Sequence, residues 1–152
     1  MYSHTQTGWM TLAALLGAVV AIGAAAEAEP EAKIPLMLTM AFLALMLPLF
    51  GWLTVTVDEE AVTARFGVGL IRRRIKIKDI LSAAPVRNKW YNGWGVRMLD
   101  TGWMYNVSGL DAVEIEYQGG KFRIGTDEPE ELVRALRRGM ELGGRLPISP
   151  SA

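Results

Sequence analysis

Two uncharged apolar runs, residues 8–26 (GWMTLAALLGAVVAIGAAA) and 34–53 (IPLMLTMAFLALMLPLFGWL), decide the fold of the first third of the chain. Neither run contains Asp, Glu, Lys, Arg or His, and only residues 27–33 separate them. At a rise of about 1.5 Å per residue, each run is long enough as a helix to cross a hydrocarbon core of about 30 Å. We therefore predict a multi-pass membrane protein that begins with a transmembrane α-helical hairpin.

The positions of Lys and Arg predict how this hairpin is oriented. Lys33 is the only such residue before position 58, whereas Arg65 and residues 72–74 follow the second run closely. Lys and Arg within about 20 residues of a membrane span favour the cytoplasmic side. We therefore expect both termini to be cytoplasmic at the inner membrane, with residues 1–7 as an N-terminal tail and residues 27–33 as an extracytoplasmic loop.

A cleaved signal peptide is the alternative interpretation of the first run. Ala24, Ala25 and Ala26 fit the small-residue pattern that precedes a cleavage site. However, no Lys or Arg precedes the run, and the run is longer than the roughly 7–15 apolar residues of a typical signal peptide. These features favour a retained helix.

Small residues form a stripe along the first run. They recur at every fourth position, namely Ala13, Gly17, Ala21 and Ala25. This spacing places them on one helix face, where a second helix can approach closely within lipid. Because the connection between the runs is short, we expect the stripe to pack against the second helix. A second copy of the chain or a helix of a partner protein is the alternative.

Beyond residue 53 the pattern changes to short alternations of apolar and polar residues. These alternations predict six or seven strands in a soluble α+β or all-β domain over residues 54–142. The last element is predicted to be an amphipathic helix, with Asp127 and Glu130 as a capping box at its start. Its apolar face consists of Leu132, Leu136 and Met140. Residues 143–152 are predicted to be a disordered tail.

Four stretches of this domain resemble small bacterial membrane proteins that carry a pleckstrin-homology-like (PH-like) domain. They are residues 72–80 (RRRIKIKDI), 93–97 (GWGVR), 105–109 (YNVSG) and 124–132 (IGTDEPEEL). The resemblance implies a seven-strand, bent antiparallel barrel that a C-terminal helix caps, joined to one or two transmembrane helices. That family has no common catalytic site, so the resemblance implies a binding or scaffolding module.

A ladder of basic residues is the first candidate binding surface. Its members lie on one predicted strand and are Arg72, Arg74, Lys76 and Lys78. Alternate residues of a strand share a face, and each cation contributes about 1 kcal/mol of attraction near an anionic leaflet. The alternative is a solvated outer face that only sets the topology. Arg73 interrupts the inward apolar positions of this strand, which predicts a bulge or an open barrel end.

An aromatic loop, residues 89–95 (KWYNGWG), is the second candidate surface, and Arg97 follows it. Aromatic rings with polar tips are typical of membrane interfaces and of protein contacts. We predict interfacial contact for Trp90 and Tyr91. Trp94, in contrast, is expected to cover the open end of the barrel as part of the core.

The sequence favours a protein that is not an enzyme and binds neither metal nor cofactor. Its single histidine, His4, precedes the first helix, and cysteine is absent. It has no nucleophile elbow, and its basic excess is too small for a nucleic-acid binder. We therefore predict a membrane-anchored binding or scaffolding module whose partners are membrane lipids and an unidentified protein. An accessory or assembly subunit of a larger membrane complex is the alternative.

Overall fold

The computed structural model describes residues 1–143, and most of the predicted disordered tail (143–152) lies outside the described residues. The elements in chain order are β1 (Tyr2–Thr7), α1 (Trp9–Ala28), α2 (Lys33–Phe50), β2 (Trp52–Val57), β3 (Ala61–Phe66), β4 (Ile71–Lys76), β5 (Ile80–Arg87), β6 (Gly95–Leu99), β7 (Gly102–Asn106), β8 (Asp111–Tyr117), β9 (Gly120–Gly125) and α3 (Pro129–Leu142). The coarse prediction of an apolar helix pair followed by a β-rich domain with a C-terminal helix is confirmed.

The two apolar runs form α1 and α2, joined by a short 3-10 turn at Pro30–Ala32. Both helices are long and apolar enough to cross a membrane. Both are fully described, and Ala26 is the only one of their residues that is buried. The second helix ends at Phe50, earlier than predicted, because Leu53 already belongs to β2 and lies buried in the core.

The N-terminal residues form a strand, so the prediction of a tail over residues 1–7 was wrong. Strand β1 pairs antiparallel with β2 from Tyr2 opposite Val57 to Thr7 opposite Trp52. A hydrogen bond of 2.9 Å from the N–H of Gly8 to the carbonyl oxygen of Gly51 extends this pairing to the start of α1. The chain therefore leaves the β domain and re-enters it at the same place.

The nine described strands form two sheets, more strands than predicted. The first sheet is antiparallel in the order β1-β2-β3-β4, and the second has the order β5-β8-β9-β7-β6. In the second sheet β7 and β9 are parallel, with Trp103 opposite Phe122 and Tyr105 opposite Ile124. The prediction of entirely antiparallel strands was wrong, because the β8–β9 hairpin lies between β5 and β7.

The core lies between the inward faces of the two sheets and α3. Leu132, Leu136 and Met140 of α3 are buried there, as predicted. The predicted capping box is absent, since the helix begins after Glu128 without a side-chain cap. Instead, the N–H of Glu128 donates to Thr126 Oγ1 at 3.1 Å.

A row of aromatic rings connects the end of α2 with this core. Phe50 of α2 lies 5.8 Å from Phe66, measured between ring centroids, and Phe66 lies 5.3 Å from Tyr105. Tyr105 in turn meets Phe122 edge-on at 5.0 Å. Such contacts stabilise the packing beyond the area they bury. The second helix is therefore packed against the β domain and is not tethered to it by a flexible linker.

The β domain has two ends, which we name by their distance from the helices. The helix-proximal end contains the end of β1, the start of β2, the β3–β4 and β7–β8 turns, and the aromatic loop between β5 and β6. At this end, Thr11 Oγ1 donates to the carbonyl oxygen of Val107 at 3.1 Å, and the N–H of Asn88 donates to the carbonyl oxygen of Leu110 at 2.6 Å. The distal end contains the β2–β3, β6–β7 and β8–β9 turns and the end of α3.

Candidate functional site

The β3–β4 turn is bonded directly to the last turn of α2. The N–H of Val68 donates to the carbonyl oxygen of Pro48 at 3.1 Å, and the N–H of Gly67 donates to that of Trp52 at 2.8 Å. Val68 and Leu70 nevertheless remain 63% and 78% exposed. Two large apolar side chains are therefore exposed on a turn that is fixed to the helix-proximal end.

The aromatic loop lies at the same end of the domain. Trp90 and Tyr91 are exposed and contact each other edge-on, with ring centroids 6.0 Å apart. Lys89 Nζ lies 5.5 Å from the centre of the Tyr91 ring. A side-chain hydrogen bond to Tyr91 raises the pKa of Lys89. Trp94 is 37% exposed and outside the core, so its predicted place in the core was wrong. The glycines on either side of it, Gly93 and Gly95, have positive φ values of +67° and +97°.

Arg97 belongs to the aromatic loop although it lies on β6. Its Nε donates to the carbonyl oxygen of Trp94 at 3.4 Å, so the side chain turns back towards the loop. The start of the loop is fixed as well, because Asn88 Oδ1 accepts a 3.0 Å hydrogen bond from Arg123. The same Arg123 pairs with Glu114 at 2.6 Å and lowers the pKa of that carboxyl group.

The basic ladder is only partly as predicted. Arg72, Arg74 and Lys76 are exposed on β4, but Lys78 belongs to a 3-10 turn (Ile77–Asp79). The strand ends after Lys76 because the chain there crosses to the second sheet.

The ladder runs from the helix-proximal end of the domain to its distal end. Arg72 lies beside the β3–β4 turn and opposite Arg65, whereas Lys76 lies opposite Ala61 at the distal end. Arg74, between them, pairs with Glu60 at 3.1 Å. Of the four predicted residues, only Arg72 lies beside the ends of the helices.

Arg73 lies at an open edge and not at a bulge. The pairing of β3 with β4 is unbroken, so that the bulge predicted as one alternative is absent from β4. Arg73 is exposed, and its Nη2 donates to the Tyr117 hydroxyl of the second sheet at 2.9 Å. Because β4 is the outer strand of its sheet, Arg73 lies at a sheet edge and reaches across to the second sheet.

The small-residue stripe of α1 does not pack against α2, which corrects that prediction. All four of its members are exposed: Ala13, Gly17, Ala21 and Ala25. The contacts with α2 come from another face. A Cβ added at Gly23 would lie 3.8 Å from the sulfur of Met40, and one added at Gly51, just after α2, would lie 3.1 Å from the Leu12 side chain. Gly17 has open space around its Cα.

His4 lies within the β domain, contrary to prediction, because it belongs to β1. Its Nε2 is 2.6 Å from Asp127 and its Nδ1 is 3.3 Å from Glu128. Burial, followed by the charges of Glu128 and Asp127, raises the pKa of the neighbouring Tyr2 to about 12. Residues 1–143 contain no group of three His, Cys, Asp or Glu side chains that could hold a metal ion. We interpret the contacts of His4 with Asp127 and Glu128 as a clamp between β1 and the start of α3.

No family model, no curated protein and no solved structure matches this chain. The helix-proximal end is the candidate site, because apolar, aromatic and basic side chains there surround the ends of two apolar helices.

Proposed function

We propose that this chain is a non-catalytic, membrane-anchored binding or scaffolding module with a PH-like domain. In this proposal α1 and α2 cross the inner membrane, both termini are cytoplasmic, and the helix-proximal end contacts anionic lipid headgroups and a protein partner. The observation that carries it is the direct bonding of both helix ends to the β domain, through Thr11 to Val107 and Val68 to Pro48. A domain bonded in this way stays against the bilayer surface.

The exposure of the two helices supports a location in lipid. Apolar residues cover nearly their whole surface, and such a surface is unfavourable in water. Trp9 and Trp52 lie where α1 begins and just after α2 ends, the level at which tryptophan is enriched in membrane proteins. Lipid around both helices would place the helix-proximal end at the headgroups.

Retention of the first helix forms part of this proposal. Cleavage after Ala26 would remove β1 together with α1, and β1 supplies a complete edge strand of the first sheet. It would also remove the clamp between His4 and Asp127. The folded domain thus has a structural need for residues that a signal peptidase would discard.

The PH-like assignment is supported by α3, which packs against the junction of two β-sheets. The parallel pair of β7 and β9 departs from the entirely antiparallel barrel that the resemblance implies. The position of the domain beside the helix ends therefore supports a binding module more strongly than the family resemblance does.

Cysteine labelling tests the topology, because the chain has no cysteine of its own. We expect Glu31→Cys to react with a membrane-impermeant maleimide in intact cells and Glu59→Cys to react only after lysis. Glu31 lies in the connector between the helices, and Glu59 lies in the distal β2–β3 turn. Reaction of Glu59→Cys in intact cells would contradict the orientation. Release of the unmodified chain by alkaline carbonate would contradict membrane anchoring.

An accessory subunit of a larger complex is the second candidate, favoured by the exposed stripe on α1. If the stripe binds a helix of another protein, Gly17→Leu should abolish stoichiometric co-purification from mild detergent. The substitution meets open space in this chain, so it should leave the fold intact. Leu16→Phe, at an exposed position that is already large, is the control. Co-purification that survives Gly17→Leu would count against the stripe as the contact.

A further inference from the structure

We infer that the β3–β4 turn is a wedge that inserts into the bilayer interface, and that Arg65 and Arg72 behind it bind the phosphate of an anionic phospholipid. This inference rests on the proposed function, because it requires α2 to lie in the membrane. It adds a lipid-binding site that neither the aromatic loop nor the basic ladder as a whole supplies.

The depth of the wedge is fixed by backbone contacts. Val68 is bonded to the carbonyl oxygen of Pro48, within the last turn of α2. A Cβ atom on Gly67 would lie 1.9 Å from that same oxygen, so the turn rests directly on the helix. The lipid surrounding α2 at this level also meets the turn.

The exposed side chains of the turn suit an apolar interface. Val68 and Leu70 lie outside the core, and no neighbour among residues 1–143 covers them. Exposed aliphatic residues on a rigid turn gain from contact with the acyl chains just below the headgroups. The turn contains no charged residue that would oppose this insertion.

The arginine pair stands immediately behind the wedge. Arg65 and Arg72 are directly opposite each other on β3 and β4, one residue pair away from the turn. Like charges placed directly opposite in a sheet repel. Among residues 1–143, neither arginine forms a salt bridge. An anion between the two guanidinium groups would relieve the repulsion, and guanidinium groups match phosphate oxygens in geometry.

A phospholipid fits both features of this site. Its phosphate would meet the arginine pair while its acyl chains meet Val68 and Leu70 on the same side of the domain. A soluble anion would use the arginines alone and would leave the apolar turn exposed. Lys76 and Lys78 lie at the distal end, away from α1 and α2, and serve as an internal comparison.

Fluorescence quenching in proteoliposomes tests the inference with the full chain. An environment-sensitive label is placed on Val68→Cys, on Leu38→Cys within α2, or on Glu59→Cys at the distal end. The quenchers are nitroxide-labelled phosphatidylglycerol and, at equal mole fraction, nitroxide-labelled phosphatidylcholine. We expect strong quenching at positions 38 and 68, none at position 59, and severalfold stronger quenching at position 68 by phosphatidylglycerol.

Charge variants then test the arginine pair. We expect Arg65→Gln with Arg72→Gln to equalise quenching by the two lipids at position 68. The matched pair Lys76→Gln with Lys78→Gln removes the same charge from the distal end and should preserve the preference. A preference that survives loss of both arginines would overturn their role.

The outcomes separate this inference from the proposed function. An unquenched label at position 38 would show that α2 lies outside the bilayer, and the proposed function would fail. If the label at position 38 is quenched but the label at position 68 is as unquenched as the label at position 59, the wedge alone would be overturned. If Val68→Cys does not fold, Leu70→Cys provides the same measurement.

Discussion

Deleting residues 2–7 is expected to lower the free energy of unfolding of the β domain by about 3–5 kcal/mol, a large share of the roughly 5–15 kcal/mol typical of a domain. These residues form β1, the edge of the first sheet, and its inward side contains Tyr2, His4 and Gln6 opposite Val57, Val55 and Leu53. Denaturant unfolding in detergent micelles, followed by tryptophan fluorescence, measures the change.

The expected loss comes from packing more than from hydrogen bonds. Each ladder hydrogen bond contributes about 1 kcal/mol net, and ordering one backbone residue costs about 1–2 kcal/mol, so pairing alone is nearly neutral. Without β1, however, the buried face of β2 loses its cover, and its backbone groups become a free edge. A free edge also promotes association with other chains. We therefore expect aggregation to accompany the lower stability.

A single substitution on the outer side of β1 provides the control. Ser3 is exposed and faces away from the core, so Ser3→Ala should change the free energy of unfolding by less than about 0.5 kcal/mol. If the deletion variant unfolded at the same denaturant concentration as the full chain, β1 would be dispensable. The structural argument for retaining the first helix would then be lost.

Elements that depend on local pattern were predictable from the sequence. The helices α1 and α2 follow from long uncharged runs, and α3 follows from the spacing of Leu132, Leu136 and Met140. The strands of the first sheet after α2 follow from strict alternation, as with Val62, Ala64 and Phe66. In each case, one short stretch contains the whole signal.

Strand β1 was not predictable, because neither its composition nor its partner is local. Its inward residues include His4 and Gln6, so the stretch lacks the apolar alternation that identifies a half-buried strand. Its partner β2 follows both helices in the chain. Only the return of α2 to the place where α1 begins brings the two strands together.

The candidate site was predictable in composition but not in arrangement. The sequence shows that Arg72, Arg74 and Lys76 share a face, but not that the strand points away from the helices. The same limit applies to the stripe on α1. The hydrogen bonds of Gly8 with Gly51 and of Thr11 with Val107 fix how α1 is rotated, and the second of them is made with the β domain.

Gly67→Ala is expected to destabilise the chain by roughly 2–5 kcal/mol, because it combines two unfavourable effects. Gly67 has a φ of +46°, and a side chain in this left-handed region costs about 1–2 kcal/mol. The new Cβ would also lie 1.9 Å from the carbonyl oxygen of Pro48 and 2.7 Å from that of Leu49. Both atoms belong to the helix backbone and cannot move aside as a side chain would.

The turn contains a matched control for this substitution in Gly69. It too has a positive φ, of +93°, but the nearest atom to an added Cβ is 3.9 Å away on the Arg65 side chain. Gly69→Ala therefore carries the backbone strain without the clash, and should lower the free energy of unfolding by only about 1–2 kcal/mol. The difference between the two variants isolates the contact of the turn with α2. Equal losses in both would show that the β3–β4 turn does not rest on the helix, and the fixed depth of Val68 and Leu70 would lose its basis.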